Sequence, residues 1–173
     1  TPTRIPVPVT VNSFANLTAS ASPATICIGG SSTLSSNAAT NLWNPGALVG
    51  NPSVSPVATT NYTVTGTDAN GCTATSTVGV VVNSNPTVTA SASPAVICAG
   101  GSSTLTGGGA ATYAWDPGAL VGNPSVSPVA TTNYTVTGTD ANGCTGTSTV
   151  DVVVNTLPTV TASPVTQTVC ENG

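Results

Sequence analysis

The sequence contains no lysine, no histidine and no methionine, and Arg4 is its single arginine. One basic and five acidic residues give a formal net charge of -4 at pH 7. Proteins that bind nucleic acids or anionic membranes neutralise phosphate groups with Lys and Arg side chains. This composition therefore argues against a nucleic acid, and against an anionic membrane surface, as a partner.

The residue types that usually perform catalysis are equally scarce. General acid-base and nucleophilic catalysis depends mostly on His, Lys, Cys and paired carboxylates, and the acidic residues of this chain are scattered along it. We therefore predict that the chain is not an enzyme and has no catalytic residue, no cofactor and no metal site. The longest strongly apolar run, from Val78 to Val82, is far shorter than the roughly 20 residues of a membrane-spanning helix, so no membrane insertion is expected.

Internal repetition is the strongest positive signal in the sequence. Trp43 recurs as Trp115, a step of 72 positions, and the segment 45–73 returns unchanged as the segment 117–145. The chain thus contains two copies of one module, and the length of the module equals this step.

The repeat period also predicts where the modules begin and end. Residues 7–13 align with residues 78–84, the closing strand of the first module, so residues 1–15 are interpreted as the last strand of a preceding module plus a linker. The first module is predicted at 16–85, the second at 86–157, and the first strand of a third, truncated module at 158–173. Linkers of a few residues, two of them ending in Pro, favour a semi-rigid rod.

Within a module, apolar residues recur with the period of two that is typical of half-buried strands. Tyr62 and Val64 share one face of a predicted strand at 62–67, and a second strand is predicted at 72–82. The turn between them is Asp-Ala-Asn-Gly, and Asn-Gly readily adopts the positive backbone angles of a tight hairpin.

The rest of the module is predicted to complete a β-sandwich. In the second module we expect strands at 86–91, 102–106 and 112–115, and one or two short edge strands within the Pro-containing stretch 119–132. Six or seven short strands in about 72 residues predict an all-β sandwich. Its core is predicted to contain Trp43, Trp115, Tyr62 and Tyr134.

Several motifs resemble those of the Ig-like and PKD-like repeats of Bacteroidota cell-surface adhesins. The matching residues are ICIGGSSTL (26–34), ICAGGSSTL (97–105), NYTVTGTDANGC (61–72 and 133–144) and the two tryptophans. The resemblance covers the whole chain, and it implies tandem Ig-like modules of giant proteins exported by the type IX system. It implies an extracellular, cell-surface location, but such modules serve as spacers, adhesive tips and carbohydrate-binding domains alike.

Five cysteines in an exported chain indicate disulfides. We favour pairing within modules, Cys27 with Cys72 and Cys98 with Cys144, which leaves Cys170 to find a partner beyond the fragment. The alternative is pairing between neighbouring modules, Cys27 with Cys144. Unbonded or metal-bound thiols are a third interpretation.

Two further side-chain patterns have competing interpretations. Asp68 and Asp140 could offer oxygens to Ca²⁺, but Ca²⁺ takes six to eight ligands, and an Asp that stabilises the turn is the simpler interpretation. Trp43 and Trp115 could stack on sugar rings, although a single Trp on a central strand is more typical of a sandwich core.

Together these features predict a non-catalytic, structural repeat region of an extracellular adhesin or filament, acting as a disulfide-stapled stalk or fibre. Its expected partners are neighbouring modules of the same chain, or copies of itself in a filament. The alternative function is an Ig-like accessory module that binds a surface glycan or another surface partner.

Overall fold

The computed structural model describes residue 13 and residues 16–163 of the chain. Every regular element within residues 16–163 is a β-strand, which confirms the all-β prediction. The strand predicted at residues 7–12 and Cys170 lie outside the described residues.

The chain divides into two compact units. The first contains the described residues up to Pro86 together with Thr139–Thr145, and the second contains Thr87–Gly138 and the described residues from Gly146 onward. The segment 139–145 belongs to the second sequence module but is part of the first unit. The module limits inferred from the repeat period stay a prediction.

The described residues of the first unit form eight strands in two sheets. One sheet has the strand order β1-β3-β6, and the other has the order β2-β8-β7-β4-β5. The strands are β1 (Ala19–Ser22), β2 (Thr25–Cys27), β3 (Ser32–Ser36), β4 (Thr40–Asn44), β5 (Leu48–Val49), β6 (Ser53–Val54), β7 (Thr60–Thr67) and β8 (Thr73–Asn83).

The strand order is that of an Ig-like sandwich. Consecutive strands form the pairs β4–β5 and β7–β8, whereas β1 pairs with β3, β3 with β6, and β4 with β7, as Greek-key connections require. The first two strands belong to different sheets. β1 pairs antiparallel with β3, whereas β2 pairs parallel with β8. Pro23, which has no backbone N–H to donate to a ladder, lies at the switch from one sheet to the other.

The predicted hairpin is present as β7 and β8. The two strands are antiparallel, and Tyr62 lies opposite Val78 while Thr67 lies opposite Thr73. The turn between them is closed by a hydrogen bond of 3.0 Å from Asp68 N to Cys72 O, and Gly71 has a φ of 81°.

One strand in each module was not predicted from the sequence, so even the upper limit of the predicted six or seven strands is one short of the eight observed among the described residues. The missed strand of the first unit is β2, which has three residues. A segment of that length is too short to show a period of two, and its parallel partner β8 lies at the other end of the module sequence.

The second unit repeats this arrangement. Its sheets have the orders β14-β11-β9 and β10-β16-β15-β12-β13. The strands are β9 (Thr89–Ser93), β10 (Val96–Cys98), β11 (Ser103–Gly108), β12 (Thr112–Asp116), β13 (Leu120–Val121), β14 (Ser125–Val126), β15 (Thr132–Thr139) and β16 (Thr145–Asn155).

Each unit has one apolar core, to which both of its sheets contribute. Trp43 and Tyr62 lie in the first core and Trp115 and Tyr134 in the second. The remaining buried members are Ile26, Leu34, Val54, Val64 and Val80 in the first core, and Ile97, Leu105, Val126, Val136 and Val152 in the second.

Candidate functional site

The candidate site is a disulfide that joins the two sequence modules. Cys27 at the end of β2 is bonded to Cys144 at the start of β16, with a Cα–Cα distance of 5.6 Å and 117 residues of sequence separation. Both cysteines belong to the first compact unit. The predicted pairs Cys27–Cys72 and Cys98–Cys144 are therefore wrong, and the alternative pairing between modules is observed.

The length of β8 explains why Cys27 cannot reach Cys72. Cys27 lies opposite Asn83, the last residue of β8, whereas Cys72 directly precedes the first residue, Thr73. An extended strand rises about 3.3 Å per residue, so the 11 residues of β8 place the two cysteines roughly 36 Å apart along the strand. A disulfide needs Cα atoms closer than about 7 Å.

The same geometry excludes a bond between Cys98 and Cys144. Cys98 lies opposite Asn155 at the end of β16, and Cys144 directly precedes the start of this 11-residue strand. In each module the first and second cysteines thus lie at opposite ends of the closing strand. A disulfide between the two cysteines of one module is therefore excluded in both modules.

A tight glycine turn fixes the position of Cys27. Its carbonyl oxygen accepts a hydrogen bond of 2.8 Å from Gly30 N, and Ile28 N donates one of 3.0 Å to Asn83 O. Gly29 has a φ of 89°, a conformation that L-residues with a Cβ rarely adopt. A Cβ on Gly30 would lie 3.0 Å from that same carbonyl oxygen, so a larger residue there would press on the backbone of Cys27.

The partner cysteine is held by the turn of the second hairpin. Asp140 Oδ1 accepts hydrogen bonds of 2.8 Å from both Asn142 N and Cys144 N, and Asp140 N donates one of 2.9 Å to Cys144 O. The side chain of Cys144 is fully buried. The turn therefore presents the Cys144 sulfur in one defined position.

The hydrogen bonds of Asp140 also bear on the calcium interpretation of the Asp-Ala-Asn-Gly turns. Asp68 makes the same pair of bonds in the first module, from its Oδ1 to Asn70 N and Cys72 N, both at 2.9 Å. One carboxylate oxygen of each turn is thus already engaged by two backbone amides. Within residues 16–163, no three His, Cys, Asp or Glu side chains lie close enough together to hold a metal ion.

The other two cysteines of the described residues, Cys98 and Cys72, lie in different environments. Cys98, equivalent to Cys27, is exposed and carries a free thiol. Cys72, equivalent to Cys144, is half-buried. The partner predicted for Cys170 cannot be assigned, because that residue lies outside the described part of the chain.

The aromatic side chains do not form a sugar-stacking platform. Trp43 and Trp115 are almost completely buried, as are Tyr62 and Tyr134. Tyr113 is half-buried, and its hydroxyl group donates a hydrogen bond of 2.7 Å to Ala110 O. The two tryptophans considered for sugar stacking are therefore core residues that present no ring face to a carbohydrate.

The comparisons with known proteins found similarity only among solved structures; no protein-family model and no curated protein matches the chain. One similar structure is a Ca²⁺-stabilized adhesin of an Antarctic bacterium that binds ice, with 21% identity and a TM-score of 0.46. That match covers 86% of this chain and 51% of the adhesin chain, so this chain spans about half of its length.

Two further structures have similar coverage. The fibronectin(III)-like modules of Clostridium thermocellum CbhA are 14% identical, with a TM-score of 0.42 over 85% of this chain and 100% of theirs. A 1.5-MDa bacterial ice-binding adhesin is 16% identical, with a TM-score of 0.38 over 84% of this chain and 67% of its own. The structural neighbours thus include bacterial adhesins and fibronectin(III)-like modules.

The residues that the structure describes include no helix with the length and apolar character needed to cross a bilayer.

Proposed function

We propose that this chain is a non-catalytic repeat region of an extracellular, cell-surface adhesin or filament, and that it acts as a disulfide-stapled stalk or fibre. Its repeats span residues 16–85 and 86–157. In this role the modules separate a functional end from the cell and resist extension, and their surfaces contact neighbouring modules or other copies of the chain.

The observation that carries the proposal is the Cys27–Cys144 bond. Disulfides persist in oxidising compartments such as the cell exterior and are rare in the cytosol. This one joins the two modules by a second covalent connection, in addition to the main chain. Force applied to the two ends of the chain passes through this bond and bypasses the residues between the two cysteines.

The identity of the repeats supports a structural role. The segments 45–73 and 117–145 have the same sequence, and they include the exposed loops around β5, β6 and the hairpin turn. Loops that carry binding functions are commonly variable in sequence. Identical loops are consistent with a stalk, in which each module adds length and no single module needs a binding site of its own.

The composition supports an extracellular location. With no lysine and one arginine, the chain offers trypsin-like proteases a single cleavage site, after Arg4. The motifs shared with Bacteroidota surface repeats support the further assignment to that group and to type IX export. These assignments are part of the proposal.

A single-molecule stretching experiment on the full chain tests the mechanical role. When the oxidised chain is pulled from its ends, the residues between Cys27 and Cys144, separated by 117 positions, should contribute nothing to the extension. After reduction, unfolding should release about 400 Å of additional contour length. The Cys27→Ser variant is the matched control and should show the full length without reduction.

A second experiment tests the location and the stalk role in the cells that produce the protein. Antibodies against the repeats should label intact cells, and removal of one repeat from the full-length protein should bring a tag at its outer end closer to the surface. Labelling of permeabilised cells alone would refute the proposal. An unchanged tag distance would refute the stalk role.

A further inference from the structure

Cys98 is the one cysteine of the described residues that is exposed and carries a free thiol. Its equivalent in the first module, Cys27, is bonded to the turn cysteine of the following module. The sequences around the two residues, ICIGGSSTL and ICAGGSSTL, differ at one position. Nearly the same local sequence therefore carries a disulfide-bonded cysteine in the first module and a free thiol in the second.

The backbone around Cys98 already has the geometry seen around the bonded Cys27. Cys98 lies opposite Asn155 in the parallel pair β10–β16, as Cys27 lies opposite Asn83. Gly101 N donates a hydrogen bond of 2.9 Å to Cys98 O, and Ala99 N donates one of 2.9 Å to Asn155 O. Gly100 has a φ of 87°, which matches the 89° of Gly29.

The feature that engages Cys27 is a compact turn whose shape depends on local contacts. The Asp-Ala-Asn-Gly-Cys turn is closed by hydrogen bonds to its own Asp side chain, both at Asp140 and at Asp68. Because these bonds lie within the turn, each repeat of this type presents its turn cysteine in the same way. The occupant expected at Cys98 is therefore another such turn.

We propose that the end of the second unit formed by Cys98, the Gly100–Gly101 turn and Asn155 is a docking site for the Asp-Ala-Asn-Gly-Cys turn of a further repeat that follows in tandem. The docked turn is sealed by a disulfide between Cys98 and its cysteine. This inference deepens the proposed stalk role and rests on it. In such an array, every pair of consecutive repeats carries one bond equivalent to Cys27–Cys144.

The sealing step needs an oxidant. The two thiols lose two protons and two electrons as the sulfur–sulfur bond forms, and a small disulfide such as oxidised glutathione accepts them and becomes two thiols. Tandem connection places the two cysteines in one molecule, so that the reaction is intramolecular and has a high effective concentration. Cys98 therefore reacts with the following repeat in preference to a thiol on another chain.

The test compares the full chain with the same chain lengthened after Gly173 by a second copy of residues 102–157, which completes a third repeat. Both proteins are incubated in a glutathione redox buffer and treated with iodoacetamide. They are then cut at the N-terminal side of aspartates, which places Cys27 in fragment 1–67, Cys98 in fragment 68–115 and Cys144 in fragment 140–150.

In the unextended chain we expect Cys98 to be alkylated. The added copy carries the substitution Gly146→Ala, which reproduces Ala74 of the first module and gives its fragment 140–150 a distinct mass. In the extended chain we expect the alkylation of Cys98 to be lost and fragment 68–115 to be linked, through Cys98, to this heavier copy of fragment 140–150. The extended Cys98→Ser variant should lose this link, whereas the extended Cys170→Ser variant should keep it. The difference in tryptophan fluorescence between the extended and the unextended chain reports the added copy of Trp115 and shows whether the third repeat is folded.

The remaining outcomes contradict the inference. Alkylation of Cys98 in the folded, extended chain would overturn it, and so would a bond between the added turn cysteine and Cys170. If fragment 1–67 is still linked to fragment 140–150 in the same digest, the stalk proposal stands while this inference fails. Loss of that link in the unextended chain would remove the basis of both.

Discussion

The indole nitrogen of Trp43 donates a hydrogen bond of 3.0 Å to the carbonyl oxygen of Gly50. Trp115 makes the same bond, of 2.9 Å, to Gly122 O. Each tryptophan thus connects its own strand, β4 or β12, to the loop that follows the adjacent edge strand, β5 or β13. The largest core side chain of a module therefore also holds the adjacent edge in place.

The first prediction concerns this bond. Trp115→Phe should lower the free energy of unfolding by about 2 kcal/mol, because it removes both a buried hydrogen bond and part of the core volume. Chemical denaturation followed by circular dichroism measures the loss. Val129→Ala is the control, because Val129 is 95% exposed, and it should change the stability little. An equal loss in the two variants would contradict the role assigned to Trp115.

The second prediction concerns the turn that presents Cys144. Asp140→Ala removes the acceptor of the Asn142 and Cys144 amides, and should lower stability by about 1 kcal/mol and speed the reduction of the Cys27–Cys144 bond by dithiothreitol. Asp140→Asn keeps a side-chain oxygen and should change both quantities less. Asp68→Ala is the matched control, because it removes the same turn contacts at a distance in sequence from the disulfide. If Asp68→Ala accelerates reduction as much as Asp140→Ala does, the turn at Asp140 does not protect the bond.

The sequence predicts those features that depend on neighbouring residues. The hairpin β7–β8 follows from alternation over Tyr62 and Val64 and from the Asn-Gly turn, and it is present where it was expected. The all-β class follows from the same alternation and is confirmed. Both are local signals, since a period of two and a turn motif can be read within about ten residues.

The disulfide could not be assigned from local signals. Its connectivity depends on β2, a three-residue strand whose parallel pairing with β8 moves Cys27 to the far end of the module. A signal was present, since Ser-Pro-Ala-X-Ile-Cys, where X is Thr25 or Val96, recurs in both modules and indicates a chain that changes sheets at the proline. The lengths of β8 and β16, also readable from sequence, then exclude both pairings within a module.

The third prediction concerns close packing at a glycine. A Cβ on Gly138 would lie 2.7 Å from both Ala110 Cβ and Val88 Cγ2. Gly138→Ala should therefore destabilise the second unit by roughly 1–3 kcal/mol. Gly66→Ala should do the same in the first unit, where the added atom would lie 2.6 Å from Ala38 Cβ. Thr65→Ala, at an exposed position of the same strand, is the control, and a smaller loss for Gly66→Ala than for Thr65→Ala would show that the contact is easily relieved.

The fourth prediction concerns the disulfide of the chain as it stands. In the aspartate-specific digest without reduction, fragment 1–67 should be linked to fragment 140–150 and not to fragment 68–115. Because the bond closes a loop of 117 positions, reduction should lower the stability by roughly 5 kcal/mol in the chain-entropy model. Thermal unfolding with and without dithiothreitol measures this loss, and Cys27→Ser should show the lower transition temperature under both conditions.

The last prediction concerns association between copies. Residues 16–163 contain four carboxylates and no Lys, Arg or His, so side-chain ion pairs cannot form within or between these parts of the chain. The short edge strands instead expose apolar side chains, with Val49 71% and Val121 76% accessible, and they have no lysine to keep such edges apart. Self-association should therefore rest on backbone pairing and apolar contact, and it should be nearly unchanged from roughly 0.01 to 1 M NaCl, because salt screens only charges.

Sedimentation velocity across this series measures the assembly, and Val49→Asp combined with Val121→Asp should weaken it at low salt. Dissociation of the unmodified chain at high salt would show that charges hold the copies together, and a monomer under all conditions would refute association through these edges.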